Sequence, residues 1–291
     1  MRSPYSKVFV LSMILVVLPW RCYATTVVVF ITPKGIVVGA DSKPTISGNG
    51  DAFSNYVPTT DTKVFLVRNR FIISHTGLGM TVFQHGKEKP RVIFRFQDSV
   101  NAIRGKVSPT MSIRQIAGVV QDEIKPRIFE FFDIMIQHHW ISAANGPANG
   151  FLDEFLIAGY DGTALSFYDV SFTIDWARTT VVTNITNALH TDAAGFQLDV
   201  HGINSAIQQI TDVMSEPHRF AFKLAPAEMK LVSDQKPVSL AQAITATKVL
   251  IRTEANFTPK HVGLPAKVIV LEPPTVPAPP INKSTAERKT R

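Results

Sequence analysis

Cysteine is nearly absent: Cys22 is the only one in 291 residues. It falls in a stretch with the marks of a removable leader, so the mature chain is expected to hold no disulfide and no thiol nucleophile. Charge is sparse as well, at 18% of residues, and its positive excess sits at the ends. Of the formal +7, Arg2, Lys7 and Arg21 precede the expected cleavage point. Lys283, Arg288, Lys289 and Arg291, against Glu287, lie near the C-terminus, which leaves about +1 for the body between them. Nucleic-acid binding needs a basic surface on the folded domain, so no nucleic-acid partner is expected. No internal repeat or low-complexity linker divides the chain before Glu272. The 45% apolar content is enough for a substantial core in one large domain or two small ones.

The first 24 residues read as a secretory signal peptide in all three of its parts. Arg2 and Lys7 give a basic start, Val8–Trp20 an apolar run, and Cys22-Tyr23-Ala24 small residues at both positions a signal peptidase reads. The apolar run is short of the ~20 residues that span a bilayer. Cleavage before Thr25 is therefore expected, giving a secreted or periplasmic protein with no membrane association after leader removal. An uncleaved leader would instead make the chain a membrane-anchored interaction domain.

Thr25–Thr32 is a nearly continuous β-branched and aromatic run, as in a strand covered on both faces. Pro33-Lys34-Gly35 reads as a turn and Ile36–Ala40 as the return strand, ending at Asp41. Residues 42–62 read as a long polar loop. Lys63–Val67 and Phe71–Ser74 form a second strand pair around Arg68-Asn69-Arg70. Gly77-Leu78-Gly79 is expected to open a helical region. Ser112 with Gln115 fits a capping box for a helix whose apolar face holds Ile113, Ile116, Ala117, Val120 and Ile124 and which Pro126 kinks. Phe155–Tyr160 and Ala164–Val170 read as strands around Asp161-Gly162. Between Ser171 and His218 only a helix near Ile203–Met214 is legible. Ser239 caps a helix with Leu240, Ala243, Ile244, Thr247 and Ile251 inward, and Lys267–Leu271 is a final strand. From Glu272 the chain is Pro-rich and then polar, and is expected to be disordered. Two sheets flanked by helices would account for the buried strand runs.

Thr25-Thr26-Val27-Val28-Val29-Phe30, followed by Gly35-Ile36-Val37-Val38-Gly39-Ala40-Asp41-Ser42-Lys43, resembles the opening of catalytic proteasome β subunits, which are N-terminal-nucleophile (Ntn) hydrolases. The spacing from Thr25 to Asp41 matches the family without a gap. Lys63-Val64-Phe65 is similar to the family's next signature, after a loop about six residues longer here. His75-Thr76-Gly77-Leu78-Gly79 falls where the family has a Gly-containing turn entering its first helix. Ile157-Ala158-Gly159-Tyr160-Asp161 and His261-Val262-Gly263-Leu264-Pro265 also have counterparts. The resemblance spans 25–271 and implies one Ntn-hydrolase domain there, after a leader (1–24) and before a tail (272–291). It implies an α+β four-layer αββα sandwich, with two antiparallel sheets between helix layers.

The resemblance also implies a chemistry, that of a threonine protease or amidase acting on a peptide or amide substrate. A Thr hydroxyl is a weak nucleophile and needs a base. An N-terminal residue carries its own in the α-amine, whose pKa lies near 8. Lys63 would depress the pKa of its neighbours and Asp41 would hold and charge-balance Lys63. The N–H of Gly77 would meet the oxyanion, a donor worth about 3 kcal/mol. Catalytic Thr25, Asp41 and Lys63 with oxyanion donor Gly77 are thus the expected site, with no cofactor and no metal. Family members stack into rings, which implies a homo-oligomeric ring for an exported chain.

Two departures stand out. The family's second Asp, which supports the nucleophile, falls at Pro259, and its Ser in a Gly-Ser-Gly-like turn has Ala193-Ala194-Gly195 as nearest sequence. Loss of this support leaves a non-catalytic scaffold as the alternative. His138-His139-Trp140 suggests a metal only superficially, because adjacent histidines point to different faces of a helix. Asn184-Ile185-Thr186, Asn256-Phe257-Thr258 and Asn282-Lys283-Ser284 fit glycosylation acceptors, relevant in a eukaryotic source only.

Overall fold

The computed structural model describes residues 25–43, 46–48, 62–77, 79–83, 88–139, 141–144, 146, 150–202, 224–233, 239–259 and 261–275. The leader, the expected helix near Ile203–Met214, Trp140, Asn282 and all but the first residues of the Pro-rich tail lie outside them.

Twelve strands and four helices are described. β1 (Thr26–Thr32) and β2 (Gly35–Ala40) form a hairpin. Its turn is tied by Thr32 Oγ1, which donates to the Gly35 carbonyl at 3.0 Å and accepts from Lys34 N–H at 3.1 Å. A short β3 (Ile46–Gly48) comes next, in a region expected to be loop. Then comes a hairpin of β4 (Val64–Val67) and β5 (Phe71–Thr76), turning through Arg68 and Asn69, both with positive φ.

The helical region expected after Gly77 is not there. The chain instead makes β6 (Met80–Phe83) and β7 (Arg91–Arg95), an antiparallel pair, and only then α1 (Phe96–Lys106). Gly77 and Gly79 punctuate one strand from the next, not a strand from a helix. Phe96 N–H, at the start of α1, reaches back to the Gly79 carbonyl at 2.9 Å.

α2 (Ile113–Gln137) starts as expected. Ser112 Oγ accepts from Gln115 N–H at 3.2 Å, and the Gln115 side chain accepts from Ser112 N–H at 2.8 Å, a complete capping box. The helix runs on through Pro126 to Gln137. β8 (Phe151–Asp161) and β9 (Ala164–Asp175) form a long hairpin, extending past the expected strands at both outer ends. β10 (Thr180–Asn187) and β11 (Gln197–Gly202) were not legible in the sequence. α3 (Pro226–Ser233), α4 (Leu240–Phe257) and β12 (Lys267–Leu271) complete the described chain. Ser239 caps α4, accepting from Gln242 N–H at 3.2 Å.

The protein is thus α+β, with sheets ordered β11-β1-β2-β12, β10-β9-β8-β5-β4 and β3-β6-β7. Strand pairs are antiparallel except β3 with β6. Among the described residues the buried apolar side chains fall into three clusters. One joins α1 and α2 to Phe71, Ile73, Phe155, Ile157, Val170 and Phe172 of the five-stranded sheet. A second joins α4 to Val28, Phe30 and Val37 of the four-stranded sheet. The third lies between these two sheets, with Val27, Val29, Ile31 and Val38 against Ile72, Leu156, Ala158 and Phe167. Alternate residues of β1 therefore enter different clusters, which is why its apolar run has no polar gap.

Candidate functional site

Asp41 follows the last residue of β2 and Lys63 precedes the first residue of β4. Their side chains meet with both groups fully buried, Lys63 Nζ lying 3.1 Å from Asp41 Oδ1 and 3.3 Å from Oδ2. A buried ion pair recovers its desolvation cost only when the remaining lone pairs are also satisfied. Here three backbone amides do this. Thr26 N–H donates to Oδ1 at 3.0 Å, and Lys43 N–H (2.9 Å) and Gly263 N–H (3.1 Å) donate to Oδ2. The same region is laced by Asp41 N–H to the Thr26 carbonyl (3.1 Å) and Ser42 N–H to the Gly263 carbonyl (3.3 Å). Gly263 lacks a side chain where one would press on Lys43.

Thr25, the residue before β1, is buried. Thr26 N–H and Lys63 Nζ share one carboxylate oxygen, so two hydrogen bonds through Asp41 Oδ1 link the Lys63 ammonium to the backbone that carries Thr25. Three of the expected residues, Thr25, Asp41 and Lys63, are in this way gathered at the end of the β1–β2 hairpin. In the chain with its first 24 residues the Thr25 nitrogen is a peptide amide. The base expected of it exists only after cleavage.

The opposite wall comes from β5 and β11. Gly202 has a φ of 78°, and a Cβ there would overlap the Thr25 carbonyl oxygen and lie 3.5 Å from Thr76 Cβ. Gly77 follows Thr76 with a φ of 119°, a conformation that glycine alone adopts without strain. A Cβ on Gly77 would overlap Oδ1 of the buried Asp153.

His75 lies behind Lys63, its N–H donating to the Lys63 carbonyl at 3.2 Å. Its ring packs between Phe96 (centroids 4.1 Å apart) and Phe155 (6.0 Å). Burial, and then the Lys63 charge, hold its pKa well below 6.5, so it is neutral at physiological pH.

A second polar group, not legible in the sequence, lies between the two larger sheets. Glu154 of β8 accepts from Thr76 Oγ1 at 3.2 Å, and its Oε2 lies 2.9 Å from His201 Nδ1 of β11. Asp169 of β9 and Asp199 of β11 stand close enough to interact electrically. Asp199 also meets Gln197 (2.5 Å) and His190 (3.4 Å). Burial, with the negative charges of Glu154 and Asp199, pushes the Asp169 carboxyl up to about 7, against the opposing pull of His201 and His190. Burial pulls His201 down, but Glu154, Asp169 and Asp199 outweigh it and the net shift is upward. The one available sequence signal was charge inside otherwise apolar strands, since such residues are seldom buried unpaired.

The departures noted in the sequence also find their places. Pro259 contributes its carbonyl, which accepts from Lys43 Nζ at 2.7 Å. Ala193-Ala194-Gly195 is not at the site. The Cβ position of Gly195 lies 3.4 Å from Pro33, at the far end of β1 from Thr25, whereas Gly202 is the glycine that meets Thr25. His138 ends α2 against the ring of Phe83. Among the described residues no group of three or more His, Cys, Asp or Glu is arranged to hold a metal, and no helix is long and apolar enough to cross a membrane. No protein-family model matches this chain, and no curated protein matches it.

Proposed function

We propose that the chain is the precursor of an exported Ntn hydrolase that cleaves amide bonds through Thr25, on a four-layer αββα fold. The observation that carries this reading is the fully buried Asp41–Lys63 pair, saturated by backbone amides and sharing an oxygen with the N–H that follows Thr25. An ion pair held so far from water contributes little net stability. Its worth lies in the positive charge it fixes beside a nucleophile. The three apolar clusters, helix on sheet, sheet on sheet and sheet on helix, support the layer order.

Removal of residues 1–24 converts the Thr25 amide into an amine. The hydroxyl proton moves to that amine as Oγ bonds to the substrate carbonyl carbon. Negative charge gathers on the carbonyl oxygen, where the Gly77 N–H donates. The ammonium then passes its proton to the leaving nitrogen as the C–N bond breaks, leaving an ester on Thr25. Water, deprotonated by the same amine, hydrolyses the ester and regenerates the enzyme. Lys63 favours the deprotonated forms of its neighbours throughout.

Two measurements test this. Mass spectrometry of the exported protein is expected to give Thr25 as first residue, and any other terminus refutes the scheme. A threonine-directed electrophile is expected to acylate Thr25 in the wild type and not in Thr25→Ala, with Thr25→Ser retaining acylation. A non-catalytic scaffold is the second reading. It is favoured by Pro259, which offers no carboxylate, and by the buried Asp153, whose carboxyl packs against Gly77. It predicts no Thr25-dependent labelling.

A further inference from the structure

Strand alternation places Thr25 and His201 on the same face. Val27 packs between the two larger sheets, and its register partner on β11 is His201. Continuing the alternation back by one step carries Thr25 to that face, diagonally opposite His201. Diagonal neighbours on an antiparallel pair are about 7–8 Å apart, within reach of long side chains. From the facing sheet, Thr76 and Glu154 are register partners on β5 and β8. Asp169 pairs with Leu156, which packs in the same inter-sheet cluster. Thr76 also lies beside Gly202, the residue on which the Thr25 carbonyl rests. The Thr76–Glu154–His201 chain of hydrogen bonds therefore starts at the wall of the Thr25 site and runs inward between the sheets.

On the hydrolase reading given above, we propose that Glu154, oriented by His201 and Thr76, is the carboxylate that positions and charge-balances the Thr25 ammonium, a role for which Pro259 has no carboxylate. Glu154 and His201 exchange no proton in the reaction. The proton passes from the Thr25 hydroxyl to the amine and on to the leaving nitrogen. Glu154 stabilises the intermediate ammonium, and His201, when charged, opposes it and holds Glu154 in place. Among the described residues, the other titratable groups around this site are Asp41 and Lys63 at the hairpin end, Asp153 at Gly77, and Asp169, Asp199 and His190 beyond Glu154. Both members of the pair are mostly buried, with side chains 17% and 16% exposed, so their charges act through a poorly screened medium.

The test is the pH dependence of Thr25 acylation by an electrophilic probe in the mature full-length protein. The acid limb reports the amine pKa. Glu154→Gln removes a negative charge and moves the limb to lower pH by about one unit, taking ~8 Å and an intermediate dielectric. His201→Gln removes a positive charge and moves it to higher pH. Opposite shifts from two neighbours are not what lost packing produces. Asp199→Asn, on the more open side of the cluster, moves the limb to lower pH by less, and decides the matter if Glu154→Gln does not fold. Variants that slow acylation equally at all pH values, with the limb unmoved, overturn the inference and leave the hydrolase reading intact. A wild type never acylated at Thr25 overturns both.

Discussion

Replacing Lys63 with Met keeps the length of the buried stem and removes the ammonium. Asp41 is then a carboxylate 1% exposed, with only the amides of Thr26, Lys43 and Gly263 as partners. Removing one member of a buried pair destabilises by about 3–5 kcal/mol, whereas an exposed pair is worth about 0–1 kcal/mol. Three amides already hold the carboxylate here, so the lower end, about 3 kcal/mol, is expected. Asp41→Asn added to Lys63→Met removes the stranded charge and recovers part of the loss. Recovery stays incomplete because an Asn amide nitrogen must face either Thr26 N–H or the Lys43 and Gly263 amides, donor against donor. Urea unfolding measures this directly. With a slope of about 1–3 kcal/mol per molar, Lys63→Met moves the midpoint down by about 1–3 M. Acylation of Thr25 falls at least about 100-fold in both variants, so the double variant regains stability without regaining chemistry. A loss under ~1 kcal/mol for Lys63→Met, or no recovery in the double variant, refutes the assignment of this pair as a buried, structurally committed charge.

The inter-sheet cluster sets a pH dependence of stability. Asp169 is raised from 3.8 to about 7 in the folded protein, so its contribution is present below the unfolded value and is lost as pH rises through 7. Raised His201 acts with the same sign. The fold is expected to lose about 2–3 kcal/mol between pH 5 and pH 8, and unfolding curves of Asp169→Asn should be flatter across that range; equal slopes refute it. Two glycine substitutions should diverge. Gly202→Ala puts a Cβ into the Thr25 carbonyl at a positive φ, and is expected to destabilise by more than the ~1–3 kcal/mol of backbone strain alone. Gly118→Ala, in α2 with nothing beyond its chain neighbours and the helix's own backbone within 4 Å of the new Cβ, is expected to stabilise by about 1 kcal/mol, read from the same unfolding midpoints.

The elements that could be read from the sequence are those whose causes are local. The β1–β2 hairpin announces itself by β-branched runs about Pro33-Lys34-Gly35, and α2 and α4 by Ser112 and Ser239 placed before apolar faces. Strands β6 and β7 read as helix in the sequence because Gly77 and Gly79 mark a break and leave the type of the next element open. β10 and β11 are edge strands, and along β10 only Val181 is buried, so neither shows a clean apolar pattern. The site divides along the same line. Asp41 and Lys63 are legible because each stands at a strand end at a recognisable distance from Thr25. Glu154 and His201 are 47 residues apart and on different sheets, so no local signal joins them. Parity joins them instead. Leu156, two residues on from Glu154, faces inward, and Val27, across from His201, faces inward. An inward carboxylate between two apolar sheets must find a donor on the facing sheet or shed its charge. Once the sheet order is known, the candidates for that donor reduce to the inward positions of β1 and β11, and His201 is the titratable one of these that stands beside Thr25.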